Sequence, residues 1–196
     1  MIPILIPAAG ASSRMRGKDK LLEPVSGMPL LRAQIAKARS VSGHVLVGLP
    51  PFPHRRYAIT DAAGVTAVEV KDAADGIGAT LRTLFAAMPR NATHAMILLA
   101  DLPDIAAADL RTVMDAVTSH PDALAWRGAT EDGKGGHPIV VAKALFPEFA
   151  TLTGDDGGKA ILKKAQDKLY SVPLPGRRAL LDLDTPEDWA AWRADR

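Results

Sequence analysis

The alternation of short apolar runs with amphipathic stretches is the feature that most constrains the fold of this chain. Apolar runs predict strands at 2–7, 44–49, 65–70, 95–100, 123–126, 137–142 and 178–183. Between them, the stretches around 81–88 and 110–117 have apolar residues at helical spacing. Strands that alternate with one-faced helices predict an α/β fold in three α/β/α layers, with a mostly parallel, mixed sheet that binds ligands at the carboxyl ends of its strands.

Length and composition exclude several classes of protein. A chain of 196 residues predicts one domain over 1–196. The absence of cysteine excludes disulfides and thiolate sites, and five scattered histidines leave oxygen ligands as the favoured choice for a metal. A net charge of +2 and 5% aromatic residues do not favour nucleic acid as a partner. Nothing resembles a signal peptide or a membrane span, so we expect a cytoplasmic protein without a membrane partner.

The turn after the first predicted strand reads "AAGASSRMRGKDK" over 8–20. Gly10 among alanines leaves little side-chain bulk, so the backbone N–H groups of 9–13 are able to point at an anion. Arg14 and Lys20 follow, and their charges would suit a triphosphate. The alternative is an ordinary strand-to-helix turn with a solvated basic segment.

Two common phosphate-binding motifs are excluded by counting. Ser12 stands where the dinucleotide fingerprint requires a glycine, and Asp19 follows Gly17 and Lys18 where a P-loop requires Ser or Thr. The turn is therefore neither a Rossmann fingerprint nor a Walker loop.

Acidic residues follow two of the predicted strands. Asp101 comes directly after an apolar run and before Pro103, which places a carboxylate at the carboxyl edge of the sheet. Asp182 or Asp184, before a helix start at Thr185, is a second candidate. Magnesium commonly takes one or two carboxylates together with substrate phosphates, so these residues predict a Mg²⁺ site. Capping of the neighbouring turns is the alternative explanation for each aspartate.

The stretch "PAAGASSRM" followed by Lys20 resembles the signature loop of nucleotidyltransferases with a GT-A-like, nucleotide-diphospho-sugar transferase-like Rossmannoid fold. In particular, it resembles the molybdenum cofactor cytidylyltransferase family and its guanylyltransferase relatives. Motifs that resemble this family run in order from about residue 3 to about residue 192. Arg16 is a departure, because the commoner pattern has glycine directly after the methionine.

The resemblance implies a role for each of several residues. Arg14, Lys20 and Asp101 would be catalytic, and Asp101 and Asp184 would hold Mg²⁺. The nucleotide would contact Ala8, Ala9, Gly10, Ala11, Ser12, Ser13, Arg14, Lys20, Gly76, Gly78 and Thr80. His137, Pro138 and Asp155 would lie on the pterin side. For the last group a structural histidine and a helix cap are the alternatives.

The reaction implied is transfer of CMP from CTP to the terminal phosphate of molybdopterin, with release of pyrophosphate. CTP is preferred over GTP because Ala9 stands where the guanylyltransferases usually carry a second glycine. The alternatives are a GTP-dependent guanylyltransferase, a transferase with another phosphorylated acceptor, and a non-catalytic module that delivers molybdenum cofactor. A molybdenum oxidoreductase or its chaperone is the expected protein partner.

Overall fold

A seven-stranded sheet forms the centre of the computed structural model, which describes residues 1–196. In chain order the strands are β1 (Ile4–Pro7), β2 (Pro24–Val25), β3 (Met28–Pro29), β4 (Val45–Leu49), β5 (Thr66–Glu69), β6 (His94–Ile97), β7 (Ala125–Ala129), β8 (Gly135–Ala142) and β9 (Leu169–Pro173). The sheet order is β5-β4-β1-β6-β8-β7-β9, and β2 pairs with β3 separately. Only β8 runs antiparallel to its sheet neighbours, which confirms the predicted mostly parallel, mixed sheet.

Helices cover both faces of this sheet. They are α1 (Leu30–Arg39), α2 (Tyr57–Ala63), α3 (Ile77–Ala86), α4 (Ala107–Ser119), α5 (Phe146–Phe149), α6 (Lys159–Lys164) and α7 (Pro186–Ala194). Apolar residues of α1, α4 and α7 pack with Ile4 and Ile6 of β1, whereas those of α3, α5 and α6 pack with Leu5. Successive strand residues point to opposite faces, so this division is the α/β/α layering that the sequence predicts.

The central strand β1 is apolar on both faces because both faces are covered. Ile4, Leu5 and Ile6 are completely buried. Burial of each such side chain contributes about 1.5–3 kcal/mol of transfer free energy, which anchors the strand that leads into the turn over 8–13. None of the helices has the length and apolar content that crossing a lipid bilayer requires.

The predicted strand over 178–183 is wrong, and β9 was missed. Residues 176–180 form turns, residues 181–184 have no regular secondary structure, and Ala179 and Leu183 bury their side chains in the core. The segment is apolar because it crosses the end of the sheet: His137 N donates to Ala179 O at 2.8 Å, and Leu183 N donates to Asp101 O at 3.2 Å. By contrast, β9 is a partly exposed edge strand in which only Val172 is buried, so its pattern is weak.

Phe149 offers a test of the packing on the α3 face. Its ring stacks on Phe85 with centroids 3.9 Å apart and is almost fully buried, whereas Phe52 is 69% exposed. We expect Phe149→Ala to lower the free energy of unfolding by about 3–5 kcal/mol, because it leaves a cavity. The matched change Phe52→Ala should alter it by no more than about 0.5 kcal/mol. Urea denaturation of both variants measures the difference, and similar values for the two would contradict this account of the core.

Candidate active site

A cavity of about 450 Å³ opens at the carboxyl ends of β1 and β6. Parallel strands bring their carboxyl ends to one edge of a sheet, and loops at that edge are free to surround a ligand. The predicted site residues that line the cavity are Ala8, Ala9, Gly10, Ala11, Ser12, Ser13, Arg14, Lys20, Gly76, Thr80, Asp101, Asp155 and Asp184. Gly78, His137 and Pro138 do not line it.

The turn over 8–13, which we call the signature loop, leaves several backbone donors free. Ala8 N donates to Gly48 O at 2.9 Å, which ties the start of the loop to β4. The N–H groups from Ala9 to Ser12 donate to no protein acceptor. At Gly10 a Cβ atom would meet nothing within 4 Å, so the space beside the loop is open. A run of free N–H groups beside open space is the arrangement that binds phosphate oxygens.

Two carboxylates and two cations meet at the wall of the cavity. Lys20 Nζ lies 2.6 Å from Asp101 Oδ2 and 2.6 Å from Asp184 Oδ1. Arg14 Nη2 lies 2.8 Å from Asp184 Oδ2. Burial by itself lowers the pKa of Lys20, but the charges and hydrogen bonds of Asp101 and Asp184 outweigh burial and raise it, so the lysine is charged.

Local structure explains why Asp184 stands where it does. Thr185 caps α7: its Oγ1 accepts from Asp188 N at 3.1 Å, and the Asp188 carboxylate accepts from Thr185 N at 2.8 Å. This capping box confirms the helix start that the sequence predicts at Thr185. The box holds the helix start, and the backbone bond from Leu183 to Asp101 holds the preceding residue, so Asp184 is fixed beside Asp101.

The carboxylate pair fits a hard divalent cation. Asp101 Oδ1 is buried without a hydrogen-bond partner, and an ammonium group already lies within bonding distance of both carboxylates. No group of three or more His, Cys, Asp or Glu side chains suited to a metal is present, so the protein offers two carboxylates at most. That donor set suits Mg²⁺ or Mn²⁺, whose remaining ligands are commonly phosphate oxygens and water.

Asp182 lies close to the same charges. Desolvation raises the pKa of its carboxyl, and the nearby charges of Asp101 and Asp184 add to the rise. Asp182 is nevertheless an exposed residue and does not line the cavity.

Gly76 and Gly78 allow the start of α3 to approach the turn at 153–155 closely. Gly78 N donates to Gly154 O at 2.9 Å, and a Cβ on Gly78 would lie 2.8 Å from Thr153 O. At Gly76, φ is +97° and a Cβ would lie 2.5 Å from Asp155 Oδ1. These glycines therefore serve contact between two loops, and that contact places Asp155 at the cavity.

His137 lies close to Asp101, near the amino end of β8. Because β8 runs antiparallel to β6, this end lies at the same edge of the sheet as the carboxyl ends of β1 and β6. Burial lowers the pKa of His137 to about 4, so the imidazole is neutral near pH 7. Its Nδ1 atom is buried and has no hydrogen-bond partner. A neutral ring can donate or accept one further hydrogen bond, but it does not supply positive charge to a phosphate.

Arg16, the departure in the signature sequence, points away from the cavity. It adopts a left-handed conformation with φ +53°, and its Nη2 lies 2.7 Å from Glu187 Oε1 in an exposed ion pair. The extra residue is thus accommodated at the surface beside α7, and Lys20 still reaches the carboxylates.

Arg56 and Asp19 are residues near the site that the sequence did not indicate. The buried guanidinium of Arg56 forms a two-bond ion pair with Asp19, at 2.8 and 2.7 Å. Burial by itself raises the pKa of Asp19, but the hydrogen bonds and charge of Arg56 outweigh burial and hold it below its usual range. Arg56 lies at the end of a loop rich in proline, which has no candidate site residue by sequence pattern. No periodic signal predicts which arginine will be buried.

Comparison with known proteins places this chain among nucleotidyltransferases. The model of the MobA-like NTP transferase domain matches residues 4–169. The molybdenum cofactor cytidylyltransferase of Escherichia coli (strain K12) is 27% identical over 96% of this chain and 93% of its own length. A probable molybdenum cofactor guanylyltransferase of Synechococcus elongatus is 29% identical over 93% of this chain and 94% of its own.

Solved structures agree with that comparison. Rv0371c from Mycobacterium tuberculosis H37Rv has a TM-score of 0.81 at 28% identity, over 97% of this chain and 96% of that one. Another structure of Rv0371c, a complex with manganese, has a TM-score of 0.77 at 27% identity over the same shares. A nucleotidyl transferase from Methanothermobacter thermautotroptrophicus has a TM-score of 0.78 at 20% identity, over 100% of this chain and 97% of that one, so the predicted nucleotidyltransferase-like fold is confirmed.

The position of Lys20 generates a prediction about metal affinity. Its ammonium competes with a divalent cation for Asp101 and Asp184, so Lys20→Met should strengthen Mn²⁺ binding by about tenfold when nucleotide is absent. Titration calorimetry with MnCl₂ measures the affinity. Lys18→Met removes an exposed lysine from the same segment and is the matched control. Unchanged or weaker Mn²⁺ binding by Lys20→Met would contradict a cation site at these carboxylates.

Proposed function

Because the chain belongs to the MobA-like NTP transferase family and is a nucleotidyltransferase, we propose that it transfers CMP from CTP to the terminal phosphate of molybdopterin and releases pyrophosphate. The observation that carries this proposal is the convergence of free amides, two cations and two carboxylates on one cavity. Such a set matches a metal-bound triphosphate in both charge and chemistry.

The proposed nucleophile needs no protein base. A phosphate monoester has a second pKa of about 6 and is largely dianionic at neutral pH, so its oxygen is able to attack the α-phosphorus directly. The bond from that phosphorus to the bridging oxygen breaks, and pyrophosphate departs with the electron pair. His137 is neutral and does not line the cavity, in agreement with a reaction that transfers no proton to the protein.

The protein's part is then to position phosphates and to offset their charge. The signature-loop amides donate to phosphate oxygens, and Arg14 and Lys20 stabilise the negative charge that moves onto pyrophosphate. Asp101 and Asp184 would hold Mg²⁺, which when bound neutralises charge on the phosphates as a Lewis acid. When the metal and the nucleotide bind, the Lys20 ammonium would leave the two carboxylates and contact the triphosphate.

The acceptor is proposed to lie toward the turn at 153–155. Asp155 is a carboxylate, so it repels a phosphate and is suited to the N–H donors of a pterin ring. His137 and Pro138 would belong to the acceptor side as residues outside the cavity, close to Asp101. Because the proposed site draws residues from position 8 to position 184, we infer that the chain works as one domain.

The choice between CTP and GTP is the most specific part of the proposal. Ala9, which is almost fully buried beside the cavity, supports CTP because of the sequence pattern of the resembling families. The relatives are divided between a cytidylyltransferase and a guanylyltransferase, so GTP is the alternative. We further propose a cytoplasmic protein that passes its product to a molybdenum oxidoreductase or its chaperone.

Pyrophosphate release tests the proposal. The purified protein is incubated with MgCl₂, molybdopterin and CTP, GTP, ATP or UTP in turn. We expect release with CTP, and Asp101→Asn should slow it about 100-fold because the variant loses a charge at the cation site. Asp104→Asn is the matched control: Asp104 accepts from Trp192 Nε1 at 3.0 Å and does not line the cavity.

Each other outcome has a distinct meaning. Release with GTP alone would replace the cytidylyltransferase proposal by a guanylyltransferase. Nucleotide binding without release of pyrophosphate would favour a different acceptor or a non-catalytic delivery module. Equal rates for Asp101→Asn and wild type would remove Asp101 from the proposed site.

A further inference from the structure

Arg56 is a buried charge that the proposed reaction does not use. It precedes α2, at the end of the loop that follows β4, and only 1% of its surface is exposed. Removing a guanidinium from water costs several kcal/mol unless its hydrogen-bond donors are paired. A charge held at such a cost requires an explanation in the structure around it.

Every donor of Arg56 is paired. Nε and Nη2 donate to the two carboxylate oxygens of Asp19 at 2.8 and 2.7 Å. Nη1 donates to Ala8 O at 2.6 Å and to Gly10 O at 2.9 Å, and Nη2 also donates to Ser12 Oγ at 3.2 Å. These bonds use all five N–H groups of the side chain. All the acceptors lie between residues 8 and 19, on the signature loop and the segment that follows it.

The two bonds to carbonyl oxygens determine where the next N–H groups point. In a trans peptide the C=O of one residue and the N–H of the next point in opposite directions. Because Ala8 O and Gly10 O are turned toward Arg56, the N–H groups of Ala9 and Ala11 are turned away from it. These two N–H groups have no protein acceptor.

Arg56 lies outside the cavity of the proposed nucleotide. It does not line the 450 Å³ cavity but lines an adjoining cavity of about 490 Å³, which shares residues 9–13, Ala73 and Ala74 with the first. The carbonyl oxygens, which would repel a phosphate, are therefore held on one side. The N–H groups that attract a phosphate are left for the other side.

Arg56 also supports a strained residue. Ser12 has φ +53°, a left-handed conformation that costs free energy in a residue other than glycine. Its Oγ accepts from Arg56 and from Lys20 N at 3.3 Å, and it donates to Asp19 at 3.4 Å. The same group that orients the loop carbonyls thus connects the loop to the backbone of Lys20.

We propose that Arg56 is a positioning residue for nucleotide binding: it turns the signature-loop carbonyls away from the cavity and so presents the N–H groups of Ala9 and Ala11 to the triphosphate. This inference rests on the proposed nucleotide transfer. Lysine cannot replace arginine in the role, because an ammonium has three donors and no planar fork to bind Asp19 and both carbonyls together.

Direct binding of nucleotide tests the inference. Calorimetric titrations with CTP and with GTP, each with MgCl₂, give Kd for wild type, Arg56→Lys and Arg56→Ala. We expect Kd to rise about tenfold or more in Arg56→Lys, which keeps the charge and is the variant expected to fold. Millimolar guanidinium chloride should restore part of the binding to Arg56→Ala, because the free ion can occupy the vacated place.

A control separates positioning from stability. Val113→Ala truncates a buried side chain of α4 outside the cavity, so it should lower stability and leave Kd unchanged. Kd values for folded Arg56→Lys equal to wild type, or a loss of binding that Val113→Ala reproduces, would overturn the role of Arg56. Absence of CTP and GTP binding by wild type would instead contradict the proposed function itself, and this inference with it.

Discussion

The ion pairs that Lys20 forms with Asp101 and Asp184 are the interaction on which the candidate site depends. They join residues 81 and 164 positions apart, at 2.6 Å each, in a partly buried position where charge is weakly screened. Removing any one member leaves an unbalanced charge at the cavity wall. Because the charges are balanced, a divalent cation can replace the Lys20 ammonium at the two carboxylates, and the ammonium is then free to bind a phosphate.

The topology of the sheet brings this cluster together. Parallel pairing puts the ends of β1 and β6 at one edge, and the reversal of β8 brings His137 there by its amino end. The segment over 177–183 then crosses this edge and delivers Asp184. The acidic and basic residues thus come from separate segments of the chain, and the buried Arg56 binds the carbonyl groups of the signature loop.

Particular residues show how far sequence reasoning reached. Gly10, Arg14, Lys20 and Asp101 were candidates from their positions after apolar runs, and the family resemblance selected Asp184 over Asp182. The structure places all five residues at one cavity. Gly78 was expected to approach the nucleotide, but its missing side chain admits Gly154. The apolar run over 178–183 has the composition of a strand, yet it packs as turns, because burial alone does not specify hydrogen bonding.

The sequence by itself determined the alternation of apolar strands with one-faced helices, the small-residue turn with its cations, and the helix start before α7. These features are local: each depends on side-chain periodicity or on neighbours a few residues apart. Only the tertiary structure decided that β9 forms the sheet edge, that Lys20 lies between two carboxylates, and that Arg56 rather than Arg55 is buried. The reason is physical: a charge becomes buried only where distant segments provide all its hydrogen-bond partners, and no local pattern records those partners.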